Sequence, residues 1–396
     1  MIELQKRNFE RRGALRTIGS LGAGALTMSA GLPSRANAEW SPELAPNSEQ
    51  FFVIDAVAHC YNHAPYNRRL RREAGNSINT TYSYHELCTP ERFRLTYQQW
   101  ERDWQADEVM DVMLLESATN MVCMHSVPMF DLYYDGLVSN DKGAYLKNKY
   151  PDRVVWYAAV DLFNQDRMYE VADEAIARGA DGIKLYPTQL NVEQGKWEGW
   201  FMDDEELALP FFDYLQGKGI KHIAIHKLVG YTGDKTKALG VEDIHRAAET
   251  FPNITFHIVH AGWLLLEETV RLLNARDNVT AVLEGPMLFP LFDLDKFTRL
   301  MSMYMNRVDT NRIIYASTAV NQHPYWIVKS FIDYQPPEGA DFSLTDADKA
   351  KILGGNFARY HDINMAAQRL KIADDKWSKE KAVHGFREPY LMQRLG

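Results

Sequence analysis

Three histidines stand where short apolar runs end: His59 after Phe51–Val57, His226 at the close of His222–His226, and His260 at the close of Ile254–His260. Neutral imidazole carries protons near pH 7 and is also the commonest nitrogen ligand for a divalent ion. Histidines gathered from separate strand ends therefore point to a metal centre or to an acid/base pocket. Other reactive groups sit at comparable ends: Asp55, Glu116, Asp161, Lys184, Tyr186, Glu284 and Thr318, with His63 and His323 just beyond two of them. Strand side chains alternate between faces. That alternation groups Asp55, Val57 and His59, and likewise His222, Ala224 and His226, where the small Ala224 leaves room for an imidazole above it. It also puts Phe256, Ile258 and His260 together and sends His257 to the helix-facing side. His222, His245, His257 and His361 read as packing or surface residues, and His85 and His125 as loop residues.

The elements that must position these groups alternate along the chain. Strand-like runs are expected at Phe51–Val57, Val109–Leu115, Val154–Val160, Gly182–Tyr186, His222–His226, Ile254–His260, Val279–Glu284 and Ile313–Ser317. Helical periodicity follows at Gln165–Arg178, Asp203–Gly217, Val241–Thr250, Leu264–Ala275, Asp293–Arg307 and Tyr325–Asp333. Eight strand–helix units without a composition break predict an α/β fold, a (β/α)8 TIM barrel, over residues 51–364. A helical extension occupies 365–396, and the inserted stretch Ala64–Cys88, with Arg68, Arg69, Arg71 and Arg72, reads as a surface loop or lid. An open doubly wound sheet is the structural alternative, but the glycine-rich phosphate loop that often accompanies it is missing. In a barrel, the reactive groups belong at the carboxyl ends of the strands.

Composition narrows the partners. Of 396 residues, 46% are hydrophobic and 24% charged, which suits a chain with a large core. The net charge is −9, and the first 38 residues contribute +4, so the remainder carries −13. That sign argues against nucleic acid and against stable association with an anionic membrane, leaving a small-molecule substrate as the expected partner. Cys60, Cys88 and Cys123 show no metal-site spacing and imply no disulfide framework. Residues 1–38 resemble a twin-arginine export signal: Arg11-Arg12 precedes a weakly apolar run to Leu32, and Ala36-Asn37-Ala38 offers a cleavage site. A periplasmic protein is expected after a polar lead-in at 39–50; the alternative is an ordinary cytoplasmic tail.

The segments Gly179–Pro187 (GADGIKLYP), Ile223–Lys227 (IAIHK), Val259–Trp263 (VHAGW) and Lys351–Arg359 (KILGGNFAR) resemble the amidohydrolase superfamily. The resemblance is to its amidohydrolase-related branch, which includes aminocarboxymuconate-semialdehyde and resorcylate-type decarboxylases. It implies that His59 and His226 are metal ligands and that His260 acts on the substrate or its water. It also implies ligands at two positions that hold Val57 and Thr318 here. Two imidazoles alone hold zinc or manganese poorly, since catalytic zinc usually has three protein ligands. His63, Glu284 and His323 are the candidate replacements, so a divalent metal (Zn or Mn) and a metal-free site both stay open. Lys184 either pairs with Glu284, the favoured reading, or binds a substrate carboxylate. Tyr186, Trp263 and Thr318 complete the candidate substrate contacts, with Tyr61, Trp197 and Trp200 as further aromatic walls and the Arg68–Arg72 stretch able to receive an anion. Relatives are often dimers, which leaves a homodimer open.

The expected activity is hydrolysis of a C–O or C–N bond, or non-oxidative decarboxylation, of a small carboxylated cyclic or aromatic compound, with His260 as general acid/base. The alternatives are a metal-independent lactonase-like hydrolase and a non-catalytic exported binding protein on the same barrel.

Overall fold

A computed structural model describes residues 50–227 and 236–395. The expected export signal, and all but the last residue of the lead-in, lie outside the described residues. Eight parallel strands form one sheet in chain order: β1 (Val53–Ala58), β2 (Thr119–His125), β3 (Val154–Ala159), β4 (Gly182–Leu185), β5 (His222–His226), β6 (Thr255–Val259), β7 (Val279–Val282) and β8 (Ile313–Ile314). The ring closes between β8 and β1. Ala56 N donates to Tyr315 O at 3.2 Å, His59 N to Ala319 O at 2.6 Å, and Thr318 N to Val57 O at 3.1 Å. This is the TIM barrel, with helices between the strands and a helical carboxyl-terminal extension.

Side chains sort by alternation into an inner and an outer core. Ile54, Ala56, Val57, Met121, Cys123, Val155, Tyr157, Ala224, Val259, Val282, Ile314 and Ala316 pack inside the barrel. Val53, Val122, Trp156, Ile183, Ile223, Ile225, Phe256 and Ile258 pack outward against the helices. Phe357, Ala358 and Ile372 join the inner group, so the segment after β8 plugs the barrel floor. Among the described residues, no helix is long and apolar enough to cross a membrane.

Three expectations need correction. Val109–Leu115 belongs to the helix Ala106–Leu115, not to a strand. Val109, Met110, Val112 and Met113 recur at helical spacing on one buried face, and Asp107 and Glu108 favour the first turn of a helix. The second strand is instead Thr119–His125, so Glu116 follows a helix and His125 ends a strand. Most of the stretch Ala64–Cys88 is not loop but the 18-residue helix Arg71–Cys88, which buries Ala74, Ser77, Ile78, His85 and Cys88. Finally, His222 and His257 face the barrel interior, where His257 bonds Thr280 and His222. The other β6 face, Phe256 and Ile258, meets the helices.

Candidate active site

The parity of β6 should have carried His260 outward with Phe256 and Ile258. Instead β6 stops at Val259, and His260, Ala261 and Gly262 all take left-handed conformations, with φ of +72°, +53° and +57°. This turn breaks the alternation and swings the His260 ring over the barrel mouth. Its Nε2 lies 3.2 Å from Nδ1 of His226, with ring planes at 82°. Left-handed backbone is unfavourable for residues with a Cβ. Gly262 relieves the last step, and a Cβ there would run into the Thr269 side chain.

His226 reaches the mouth by strand alternation above Ala224, and the Tyr186 ring stacks on it at 4.2 Å. His59 comes from the turn after β1. The His125 carbonyl accepts from its Nδ1 at 2.9 Å, which leaves Nε2 facing the Glu284 Oε1 at 3.8 Å. Glu284 follows β7 and is buried, as are His59, His226 and Lys184. The structure therefore brings His59, His226, His260 and Glu284 together with Lys184 and Tyr186.

The charges at the mouth are coupled. Burial pushes the Glu284 carboxyl up, but His260, His59 and Lys184 outweigh it and hold the group well below its ordinary value. Burial lowers the Lys184 ammonium to about 8, with Glu284 opposing. Burial also lowers His260, against the pull of Glu284, so at neutral pH its imidazole is a base rather than a cation. The expected Lys184–Glu284 contact pair does not form among the described residues. The neighbour of Lys184 Nζ is the face of Tyr186, with the ring centroid at 5.3 Å. The two charges act on each other at longer range.

The other candidates stand elsewhere. His63 is sandwiched between Tyr61 (4.9 Å) and Trp100 (4.2 Å), with Tyr61 separating it from His59, and burial lowers it to about 3. His323 caps the helix Pro324–Asp333: its Nδ1 accepts from Tyr325 N at 3.2 Å, and its Nε2 meets Glu116 Oε2 at 2.8 Å. Both ring nitrogens are occupied, so it does not reach the mouth. Trp263 packs edge-on against Phe289, with the Lys296 ammonium 4.0 Å above its ring. Thr318, half-buried with φ +67°, follows β8 beside Val57. Trp197 pairs with Leu190 in the hairpin of Thr188–Asn191 and Lys196–Gly199, and Trp200 is buried after it. Arg68 is held by Glu101 and the His63 carbonyl, and Arg69 bonds the Phe130 carbonyl, so neither awaits an anion. Sequence reasoning missed His125, whose carbonyl orients His59 and whose ring stacks on Tyr157 at 4.8 Å. The alternation in Asn120–His125 was its signal.

The donor set at the mouth falls short of the three convergent protein ligands that catalytic zinc usually has. The two positions where the resemblance implies further ligands hold Val57, packed among inner apolar residues, and Thr318. Among the described residues, no three donors of His59, His226, His260 and Glu284 lie within 4.8 Å of one another. The Lys184 ammonium, which acts on Glu284 at longer range, also supplies positive charge that a dication would repel.

Comparison with known proteins agrees with the architecture. An uncharacterised TIM-barrel protein from Bordetella bronchiseptica superposes with a TM-score of 0.55 at 16% identity, covering 80% of this chain and 98% of that one. A 2,6-dihydroxybenzoate decarboxylase from Rhizobium gives 0.52 at 12% identity, over 79% and 99%. A 5-carboxyvanillate decarboxylase from Novosphingobium aromaticivorans, complexed with manganese and 4-hydroxy-3-methoxy-5-nitrobenzoic acid, gives 0.51 at 15% identity, over 82% and 100%. At such identities the likeness shows the fold. No curated protein matches the chain. The family model described as amidohydrolase matches residues 136–360, from the turn before the Asn140–Lys149 helix through the floor plug and more than half of the chain. The chain belongs to the amidohydrolase family.

Proposed function

We propose that this protein is an amidohydrolase-family enzyme that removes CO2, without oxidation, from a small hydroxylated aromatic or cyclic carboxylate, using side chains rather than a metal at the barrel mouth. The observation that carries the reading is the 3.2 Å contact between His226 and His260 beside ionised Glu284. Neutral His260 takes the proton of a ring hydroxyl, and Glu284 stabilises the resulting imidazolium. The imidazolium then gives its proton to the ring carbon that bears the carboxylate. The C–C bonding pair returns to the ring as CO2 leaves, so the substrate's hydroxyl proton ends on carbon and the product departs as the oxyanion. Lys184 receives the carboxylate, and Tyr186 and Thr318 border the substrate. His59 and His226 polarise its oxygen atoms. Two decarboxylases that share the fold lend support to loss of CO2 as the reaction.

The test is CO2 release from 2,6-dihydroxybenzoate and 5-carboxyvanillate, with and without a chelator. Turnover that survives chelation and disappears in His260→Ala is expected. Turnover restored only by manganese would overturn the metal-free assignment, and full activity in His260→Ala would overturn the role of that residue. We also infer export through the twin-arginine signal at 1–38, which the paired arginines and the small-residue motif at 36–38 support; a precursor that keeps its first 38 residues in the cell's periplasmic fraction would contradict cleavage there.

A further inference from the structure

The amino-terminal end of the barrel holds a second group of imidazoles, away from the mouth. His222 opens β5, His257 lies inside β6 opposite Ala224, and His361 follows the short helix Asn356–Tyr360 of the floor plug. One donor nitrogen from each lies within 4.8 Å of the other two. His222 Nδ1 and His257 Nε2 are 3.3 Å apart. Two nitrogens on a tetrahedral zinc, each at ~2.0–2.1 Å, stand roughly 3.3–3.4 Å from each other. The far sides of two rings are already fixed: Thr280 Oγ1 lies 2.7 Å from His257 Nδ1, and the Tyr157 hydroxyl 2.8 Å from His361 Nε2. Bonds of this kind set the tautomer and aim the opposite nitrogen at an ion.

His222 and His257 are buried and His361 is half-buried. Their polar partners are a threonine, a tyrosine and one another. An all-imidazole set selects zinc, nickel or copper over the oxygen-seeking magnesium and calcium. The rings of His222 and His361 now stack at 4.0 Å, so one must turn about its Cβ–Cγ bond before both face a single ion. That torsion is broad for histidine. His361 is half-buried and its ring also stacks on Phe357 at 4.2 Å, so the turn falls to the His222 ring if the Tyr157 bond is kept.

We propose that the barrel floor is a binding site for a borderline divalent cation such as Zn2+, built from His222, His257 and His361 and separate from the reactive mouth. The ion would tie the carboxyl-terminal plug to β5 and β6. It has no part in the chemistry at the other end, so this site stands or falls independently of the proposed activity.

The experiment is equilibrium dialysis of chelator-stripped, full-length protein against micromolar Zn2+, with metal analysis and thermal unfolding, and a parallel titration with Co2+ followed by visible absorption. The expected result is about one equivalent of tightly held zinc, a rise in Tm on adding zinc but not magnesium, and a tetrahedral Co2+ spectrum. His361→Ala, which leaves every barrel strand untouched, abolishes all three. Thr280→Val weakens binding by about 10–100-fold. His226→Ala, at the mouth, retains the zinc. Wild-type affinity in His361→Ala, loss of the ion in His226→Ala, or no binding at micromolar zinc would each overturn the proposal.

Discussion

His226 Nδ1 and His260 Nε2 face each other at 3.2 Å in an edge-on contact between a buried ring and a half-buried one. At that distance at most one proton lies between the two nitrogens, since two N–H groups would collide. A proton held between imidazoles beside an ionised carboxylate is poised to move. His260→Gln is therefore expected to lower kcat by about 10²–10⁴-fold while unfolding within a few degrees of wild type. His226→Gln should produce a loss of the same order, and the double variant little more, because the pair acts as one unit. Strictly multiplicative losses in steady-state assays would argue against a shared proton.

The pH–rate profile should carry two limbs. Burial lowers His260, so the rising limb of kcat/KM belongs below pH 6.5, the ordinary imidazole value. Lys184 loses its charge near pH 8, so KM for a carboxylate should climb above that pH while kcat changes less. In Lys184→Met the alkaline rise in KM is expected to vanish and KM to be high throughout. A rise that persists in that variant assigns it to another group.

Gly262→Ala tests how the turn after β6 presents His260. Gly262 combines φ +57° with close packing on Thr269, so the new methyl group meets both backbone strain and a clash. A loss of about 1–3 kcal/mol in denaturant unfolding is expected. At temperatures where the variant is folded, kcat should fall more than substrate binding weakens, because the reacting ring moves while Lys184 stays.

Asp55 makes the stability of the barrel depend on pH. Its Oδ1 accepts from Ser317 N at 3.0 Å and Val57 N at 3.2 Å, Oδ2 is buried without a partner, and burial raises the carboxyl from 3.8 to about 7. The folded protein thus holds a proton that the unfolded chain releases. Its stabilising contribution is complete below pH 4 and is lost as pH rises toward 7, by on the order of a few kcal/mol. Unfolding free energies of Asp55→Asn should show a flatter slope between pH 4 and 7 than those of wild type. An unchanged slope would place the pH dependence elsewhere.

The strand–helix rhythm made the barrel legible, and the strand-end histidines marked the mouth. Two features were harder to read, each for a physical reason. The run Val109–Leu115 is apolar enough for a strand, and its helical spacing becomes evident only once both faces are compared. Taking it as a strand hid Thr119–His125, and His125 with it. In β6, period-two alternation correctly separates His257 from Phe256 and Ile258 but does not tell which side is the barrel interior. Continued strand geometry predicts His260 at the strand end, whereas it reaches the mouth by leaving that geometry. His323 and His63 lie near the right strand ends in sequence, but a helix cap and an aromatic sandwich claim them.

The contact of Glu116 with His323 and with the Tyr390 backbone has a consequence for synthesis. Glu116 Oε2 accepts from Tyr390 N at 2.8 Å, and the Tyr390 hydroxyl donates to the Val320 carbonyl at 3.1 Å. Glu116 from the link between the Ala106–Leu115 helix and β2, the loop after β8, and Tyr390 thus meet in one buried knot. A nascent chain can pair all eight strands and still lack the partner that immobilises the loop carrying Thr318. The loop carrying Thr318 therefore gains this anchor only once Tyr390 has been made.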